Sequence, residues 1–184
     1  MRFNAYFLND WIPREGISRE DYLIQKFGSV ERYAQIAERV KAAAAAEGLV
    51  YAPEKISRQP NTTDCHRLIL WADKSGKAAD MKQRLMDLYF TEGGDLTNND
   101  VLAQAAADIG LDRAEIARLL AGDQDIDIVA QQAQAAKDAG IDGVPCFIFG
   151  GALAVSGAQS PEYLAGAIER AAEEIAKRGP AAVK

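Results

Sequence analysis

Cysteine and histidine are scarce in this chain of 184 residues, which contains two cysteines and one histidine. Together they cannot supply the four ligands of a structural zinc site. Two cysteines are also too few to staple a small disulfide-dependent fold. We therefore expect neither a structural metal nor a tightly bound cofactor.

Positive charge is in deficit, because 21 Lys and Arg face 27 Asp and Glu, for a net charge of -6. Such a chain has no uniform positive field to attract nucleic acid or an anionic membrane. No segment approaches the ~20 apolar residues that span a bilayer. The first residues also lack the basic start and apolar run of a signal peptide. We expect a cytoplasmic protein that binds neither nucleic acid nor membrane.

The rest of the composition, 48% hydrophobic and 26% charged, is that of an ordinary globular protein with a substantial core. Aromatic and apolar residues between Phe3 and Leu8 favour a short buried strand. Helical spacing, capping residues and terminal glycines then predict a series of helices. These begin near Ser18, Ser29, Asn61, Lys77, Asn99, Asp112 and Asp125.

The run IDGVPCFIFGGALAVSG near the C-terminus predicts a hairpin. Its elements are a buried strand at 146–149, a Gly150-Gly151 turn that needs positive φ, and a return strand at 152–155. A final helix follows Ser160 and Pro161, with an apolar stripe at Leu164, Ile168, Ala171 and Ile175. Pro145 precedes the first strand, and from the residues alone a trans proline is favoured.

Four segments of the chain resemble the DsbA-like branch of the thioredoxin superfamily, in particular the FrnE-type oxidoreductases and the related 2-hydroxychromene-2-carboxylate isomerases. They are FNAYFLN, PNTTDCHRLILWA, YFTEGGDLTNNDVLAQAAADIGLD and GIDGVPCFIFGGALAVSGAQSPEYL. The resemblance implies an α/β, thioredoxin-like fold with an inserted all-helical domain. It also implies that Val144-Pro145 is a cis-proline pair facing the reactive thiol.

This resemblance divides the chain into four parts. Residues 1–17 would form a strand and loop of the thioredoxin-like domain, and residues 18–124 a mainly helical inserted domain. Residues 125–179 would complete the thioredoxin-like domain with a helix, the hairpin and the final helix. Residues 180–184 would be a tail.

One departure from the family affects its chemistry. Relatives start with a strand and a Cys-x-x-Cys, or a serine-containing counterpart, at the start of the first long helix, and neither precedes FNAYFLN in this sequence. A helix N-terminus lowers the pKa of one thiol, and the second cysteine resolves the mixed disulfide. We therefore assign no catalytic residue and expect that the chain alone is not a dithiol catalyst.

The missing strand would leave the strand at 3–8 without a neighbour on one side. Upstream residues could be absent, another chain could supply the strand, or the opening segment could pair directly with the hairpin. We favour absent upstream residues. An exposed sheet edge would also allow a dimer.

Both cysteines have a reactive and a structural interpretation. Cys146 follows the proline and is a weak nucleophile candidate, but its apolar neighbours favour a buried, inert thiol. Cys65 lies on the apolar stripe of its helix and has the same structural interpretation. A disulfide between them is disfavoured in a reducing compartment.

The resemblance also implies a thiol-binding or substrate-binding set, which consists of Val144, Pro145, Ser156, Gly157, Ala158, Gln159, Asn61 and His66. In glutathione-using relatives the 156–159 loop meets the glutamyl end of the ligand. Gln159 replaces the acidic residue of the isomerase-like pattern, which weakens the prediction of glutathione as a co-substrate. For His66, the single histidine, a structural role is the default.

Three hypotheses about function follow. The chain is a FrnE-type thiol-disulfide oxidoreductase, a glutathione-dependent isomerase or transferase-like relative, or a non-catalytic module that binds an extended peptide. The expected partners are accordingly a thiol or disulfide substrate, an extended peptide, or glutathione.

Overall fold

The computed structural model describes residues 1–178 and divides the chain into two compact units, Met1–Gln132 and Ala133–Lys184. The predicted tail at 180–184 lies outside the described residues. Within the described chain, no helix is long and apolar enough to cross a membrane.

Helices dominate the first unit, and an antiparallel hairpin with one long helix dominates the second. In chain order the elements are β1 (Ile17–Ser18), α1 (Arg19–Phe27), α2 (Val30–Ala46), a 3-10 helix (Pro53–Lys55), β2 (Arg58–Gln59), α3 (Thr63–Asp73), α4 (Ala78–Phe90), α5 (Asn99–Asp108), α6 (Arg113–Leu120), α7 (Ile126–Asp138), β3 (Cys146–Phe149), β4 (Leu153–Ser156) and α8 (Pro161–Arg178).

The predicted helix starts are confirmed to within about two residues. Ser18 and Ser29 cap α1 and α2 by accepting hydrogen bonds from backbone amides three residues ahead. Asp112 caps α6 in the same way. A side-chain oxygen at this position satisfies an amide that has no partner inside the helix. α3 begins later than expected, at Thr63, whose amide donates to Asn61 Oδ1 over 3.0 Å.

The predicted strand at residues 3–8 is wrong, because the structure places no strand before β1. The Ala5 amide instead donates to Gln132 Oε1 over 3.1 Å, and Ala5 is 2% exposed while Leu8 is 57% exposed. A strand needs a neighbour to satisfy its backbone groups. No strand among residues 1–178 pairs with this segment, so it follows α3 and α7 as an irregular chain.

The core of the first unit lies between α3, α4, α5 and α6. Leu68, Met81 and Leu102 are fully buried there, and Cys65 packs beside them. Burying an aliphatic side chain of this size contributes about 1.5–3 kcal/mol. The helical unit is therefore held together mainly by the stripes that the sequence places on successive helices.

Arg67 is fully buried on α3. Its guanidinium donates to Gln124 O, Leu119 O and Gly122 O at 2.7, 2.8 and 2.7 Å, and to Asp64 Oδ1 at 2.6 Å. It also lies over the Trp71 ring, 4.8 Å from the centroid. A buried charge is tolerated when it is paired and hydrogen-bonded, and Arg67 satisfies both conditions. It ties α3 to the segment that leads into α7.

In the second unit β3 and β4 pair from Cys146 opposite Ser156 to Phe149 opposite Leu153. Gly150 and Gly151 have φ of 56° and 67°, as the predicted turn requires, and the return strand begins one residue later than expected. Phe147 shares its face with Val155, which is buried, and both strands pack against α8.

The other face of the hairpin corrects the predicted burial of strand 146–149. Ile148 is 54% exposed, and the remaining β3 residues are only partly buried. Within the described residues β3 pairs only with β4, and α8 packs against the hairpin from the Val155 side. The stripe of α8 also differs from the expectation, because Ile168 is exposed and Ala167 is buried in its place.

Candidate functional site

Pro145 and the loop after β4 lie side by side in the second unit. The Val144-Pro145 peptide bond is cis, and Gly157 N donates to Pro145 O over 2.8 Å. This bond extends the hairpin pairing one step beyond Cys146 and Ser156, which face each other across the strands. Six of the eight predicted binding residues are thus brought together, namely Val144, Pro145, Ser156, Gly157, Ala158 and Gln159.

The loop from Ser156 to Gln159 is folded back on itself. Gln159 Nε2 donates to Ser156 O over 3.0 Å, and Gly157 takes a φ of 79°, in the region that favours glycine. Ser156, Ala158 and Gln159 are exposed. The loop therefore presents polar side chains and backbone to solvent at the end of the hairpin where Pro145 lies.

The strand β3 has one unpaired edge and one open face. Its outer edge has no strand partner among residues 1–178. Cys146 and Ile148 share the open face, because side chains two residues apart in a strand point the same way. Val144, just before the strand, is half exposed. An edge of this kind can take an extended peptide as an added strand, with apolar contacts from the exposed side chains.

The two cysteines are free thiols with different surroundings. Cys65 is 6% exposed within the core, and burial raises the pKa of its thiol to about 12. A thiol with such a pKa stays protonated and inert near neutral pH. The structural interpretation of Cys65 is therefore confirmed. Cys146 is partly exposed instead, so the expectation of a buried thiol there is wrong.

Asn61 and His66 lie in the first unit, on or just before α3. Asn61 uses its oxygen for Thr63 and donates from Nδ2 to Ile12 O over 2.8 Å. His66 lies against Phe7, with ring centroids 5.7 Å apart in an edge-to-face arrangement, and hydrogen-bonds with the Tyr6 backbone. Burial lowers the pKa of His66. Both residues therefore contact the N-terminal segment, which we define as residues 1–14.

Comparison with known proteins identifies the family. The family model of the DsbA-like thioredoxin domain matches residues 1–169. The chain belongs to the DsbA-like thioredoxin family. A crystal structure of a probable DsbA oxidoreductase from Streptomyces coelicolor is similar, with 27% sequence identity and a TM-score of 0.83. The match covers 94% of this chain and 75% of that one. No curated protein matches the sequence.

Membership of the DsbA-like thioredoxin family confirms the predicted α/β fold with its helical insertion. Among the described residues of this DsbA-like chain, no three Cys, His, Asp or Glu side chains are grouped closely enough to hold a metal ion.

Sequence reasoning missed a polar cluster in this DsbA-like chain. Arg19 donates to Gln59 Oε1 and to Tyr33 OH over 2.5 and 2.9 Å, and Tyr33 OH is bonded to Tyr51 OH. Tyr89 OH also donates to Gln59, over 3.0 Å. Desolvation raises the pKa of Tyr51 and of Tyr89. No local pattern joins these residues, since they come from five separate segments of the chain.

Proposed function

We propose that this chain is a thiol-disulfide oxidoreductase of the FrnE type that holds its substrate as an extended segment along β3. The open edge of β3, beside Pro145 and a partly exposed free thiol, carries the proposal. Membership of the DsbA-like family supports it. The name of the similar Streptomyces coelicolor protein, a probable DsbA oxidoreductase, agrees with this reaction class.

Backbone hydrogen bonds would hold the substrate along β3, and side-chain contacts would add to this binding. An extended peptide beside β3 would exchange hydrogen bonds with the unpaired edge, a mode that tolerates many sequences. Val144 and Ile148 would contact apolar side chains of the peptide. The exposed loop 156–159 would lie near one end of that peptide and would suit its polar groups.

The chemistry would pass through Cys146, the more exposed of the two thiols. Its thiolate attacks one sulfur of a substrate disulfide, the S–S bond breaks, and the other sulfur leaves as a thiolate. A mixed disulfide then links Cys146 to the substrate. Because Cys65 is buried, a second thiol from solution, such as glutathione, would attack the substrate sulfur of the mixed disulfide. A new disulfide then joins glutathione to the substrate, and Cys146 leaves as a thiolate.

Disulfide exchange with glutathione disulfide tests the chemical step. We expect one glutathione adduct on Cys146 by intact-mass and peptide mass spectrometry, and the same adduct in Cys65→Ser. Cys146→Ser should form none. An adduct on Cys65, or insulin reduction with glutathione that persists in Cys146→Ser, would contradict the assignment of Cys146.

Binding of a short apolar peptide, followed by fluorescence anisotropy, tests the β3 surface. Ile148→Lys should weaken binding about tenfold or more, because it places a charge on the proposed contact face. Ile168→Lys is the matched control, an equally exposed isoleucine on α8. Peptide binding without disulfide exchange in any assay would instead favour the non-catalytic binding module, and glutathione-dependent isomerisation without exchange would favour the isomerase-like alternative.

A further inference from the structure

Residues 5–7 of the N-terminal segment contact the first unit at α3 and α7. The Ala5 amide donates to Gln132 Oε1 on α7, and Ile12 O accepts from Asn61 Nδ2. Between these points Tyr6 and Phe7 lie against His66. Ala5 is buried, whereas Leu8 is largely exposed. The segment has no strand partner in the described chain. Its later residues are held separately, with Ile12 buried beside Tyr22 on α1 and Arg14 paired with Asp64, so the contacts at residues 5–7 can open on their own.

We infer that His66 and the N-terminal segment form a pH-sensitive contact, in which protonation of the imidazole releases residues 5–7 from α3. The reason is geometric. The segment itself covers the imidazole, with the Phe7 ring edge-to-face against it and the Tyr6 backbone bonded to it. Docking of the segment therefore removes water from His66, and a charged imidazole loses more by this than a neutral one.

Charged groups nearby do not compensate for that loss. Asp64, on the same helix, is bound by Arg14 and Arg67 over 2.7 and 2.6 Å. The side chains that carry charge on the packed elements are Arg2, Asp10, Arg14, Asp64, Arg67, Asp73, Asp127, Lys137 and Asp138, and Tyr6 and Cys65 are the other titratable neighbours. The pKa of His66 is lowered by burial, with a smaller opposite effect from the Tyr6 backbone and no contribution from these charges.

The sign of the pH dependence follows by linkage. A histidine whose pKa is lowered by docking favours the docked segment above the ordinary pKa of about 6.5, and the preference falls as pH drops towards the docked pKa. Each unit by which docking lowers the pKa corresponds to about a tenfold weaker docking equilibrium once the imidazole is fully protonated. The pKa of His66 and the docking equilibrium of residues 5–7 can be measured independently.

The test uses the whole chain, in which His66 gives the single imidazole signal in a nuclear magnetic resonance titration. We expect a midpoint below 6.5. The hydrogen-exchange protection factor of the Ala5 amide should fall on acidification by the factor that the measured pKa predicts. Amides at Leu102 and Leu119, in the core of the unit, should keep their protection.

Two variants separate the contact from general acid sensitivity. Phe7→Ala should weaken docking at neutral pH and move the pKa of His66 up towards 6.5. His66→Gln should make the protection of the Ala5 amide independent of pH from about 5 to about 7.5, the range around the ordinary histidine pKa. A midpoint at or above 6.5, an unchanged pKa in Phe7→Ala, or unchanged Ala5 protection in the acidified native chain would each overturn the inference. The native and Phe7→Ala measurements decide it even if His66→Gln does not fold.

Discussion

Replacing Arg67 by methionine should destabilise the first unit by about 3–5 kcal/mol, because it removes a fully buried donor from three backbone carbonyls, while Asp64 keeps its pairing with Arg14. Arg67 makes hydrogen bonds to three backbone carbonyls and to Asp64, all between 2.6 and 2.8 Å. Methionine has a similar volume, so the cavity is small, but the Gly122 and Gln124 carbonyls lose the donor that Arg67 supplies. Adding about 1–3 kcal/mol for each lost bond would overestimate the loss, because the four bonds act together.

The unfolding transition can be followed by tryptophan fluorescence in urea. Both tryptophans belong to the first unit, and the Trp71 ring lies under the Arg67 guanidinium. For a chain of this size the loss corresponds to a fall in Tm of roughly 10 °C. The matched control is Arg84→Met, which removes ion pairs of 2.7 and 2.8 Å to Glu92 and Asp108 on the surface.

Surface ion pairs contribute about 0–1 kcal/mol each, so Arg84→Met should unfold close to the native chain. Equal destabilisation by the two substitutions would refute the reasoning, because it would mean that burial of Arg67 does not determine its contribution. Arg67→Lys should fall between the native chain and Arg67→Met, since an ammonium has three donors and no planar fork.

Two further predictions concern the cost of adding a side chain at a glycine and the ionisation of Tyr89 at alkaline pH. Gly93→Ala should be much more destabilising than Gly76→Ala in urea unfolding. Both glycines have positive φ, but a Cβ at Gly93 would lie 2.5 Å from Lys55 in the 3-10 helix, whereas a Cβ at Gly76 would meet open space. A similar loss of stability for both would show that positive φ alone determines the cost. Burial raises the pKa of Tyr89 above its ordinary 10.0, so the neutral phenol is favoured in the folded chain and its contribution to stability is lost as pH rises above that value. Ultraviolet titration should show one late-ionising tyrosine fewer in Tyr89→Phe, and an unchanged late phase would contradict the assignment.

Local signals in the sequence predicted the helices well. Ser18, Ser29 and Asp112 each act on amides three residues away, so their effect is visible in the sequence. The Gly150-Gly151 turn was predictable for the same reason, because positive φ at two successive positions is a local requirement.

The errors concern interactions that depend on distant parts of the chain. The apolar alternation at residues 3–8 satisfies the pattern of a strand, but a strand also needs a partner, and the described chain offers none. The burial of Cys146–Phe149 was overestimated because apolar composition does not reveal that only one face of the hairpin is covered. The three carbonyl acceptors of Arg67 lie more than fifty residues along the chain, so no spacing rule could connect them.

Residues at the start of α3, in the PNTTDCHRL segment, bind several different parts of the first unit. Asn61 holds Ile12, Asp64 holds Arg14, and His66 contacts Tyr6 and Phe7. Arg67 holds the segment before α7 through hydrogen bonds to the backbone carbonyls of Leu119, Gly122 and Gln124. We therefore expect a substitution in this segment to disturb the part of the first unit that the replaced residue binds. Altered activity in such a variant is therefore evidence of a catalytic role only if Ala5 protection and the urea midpoint stay native.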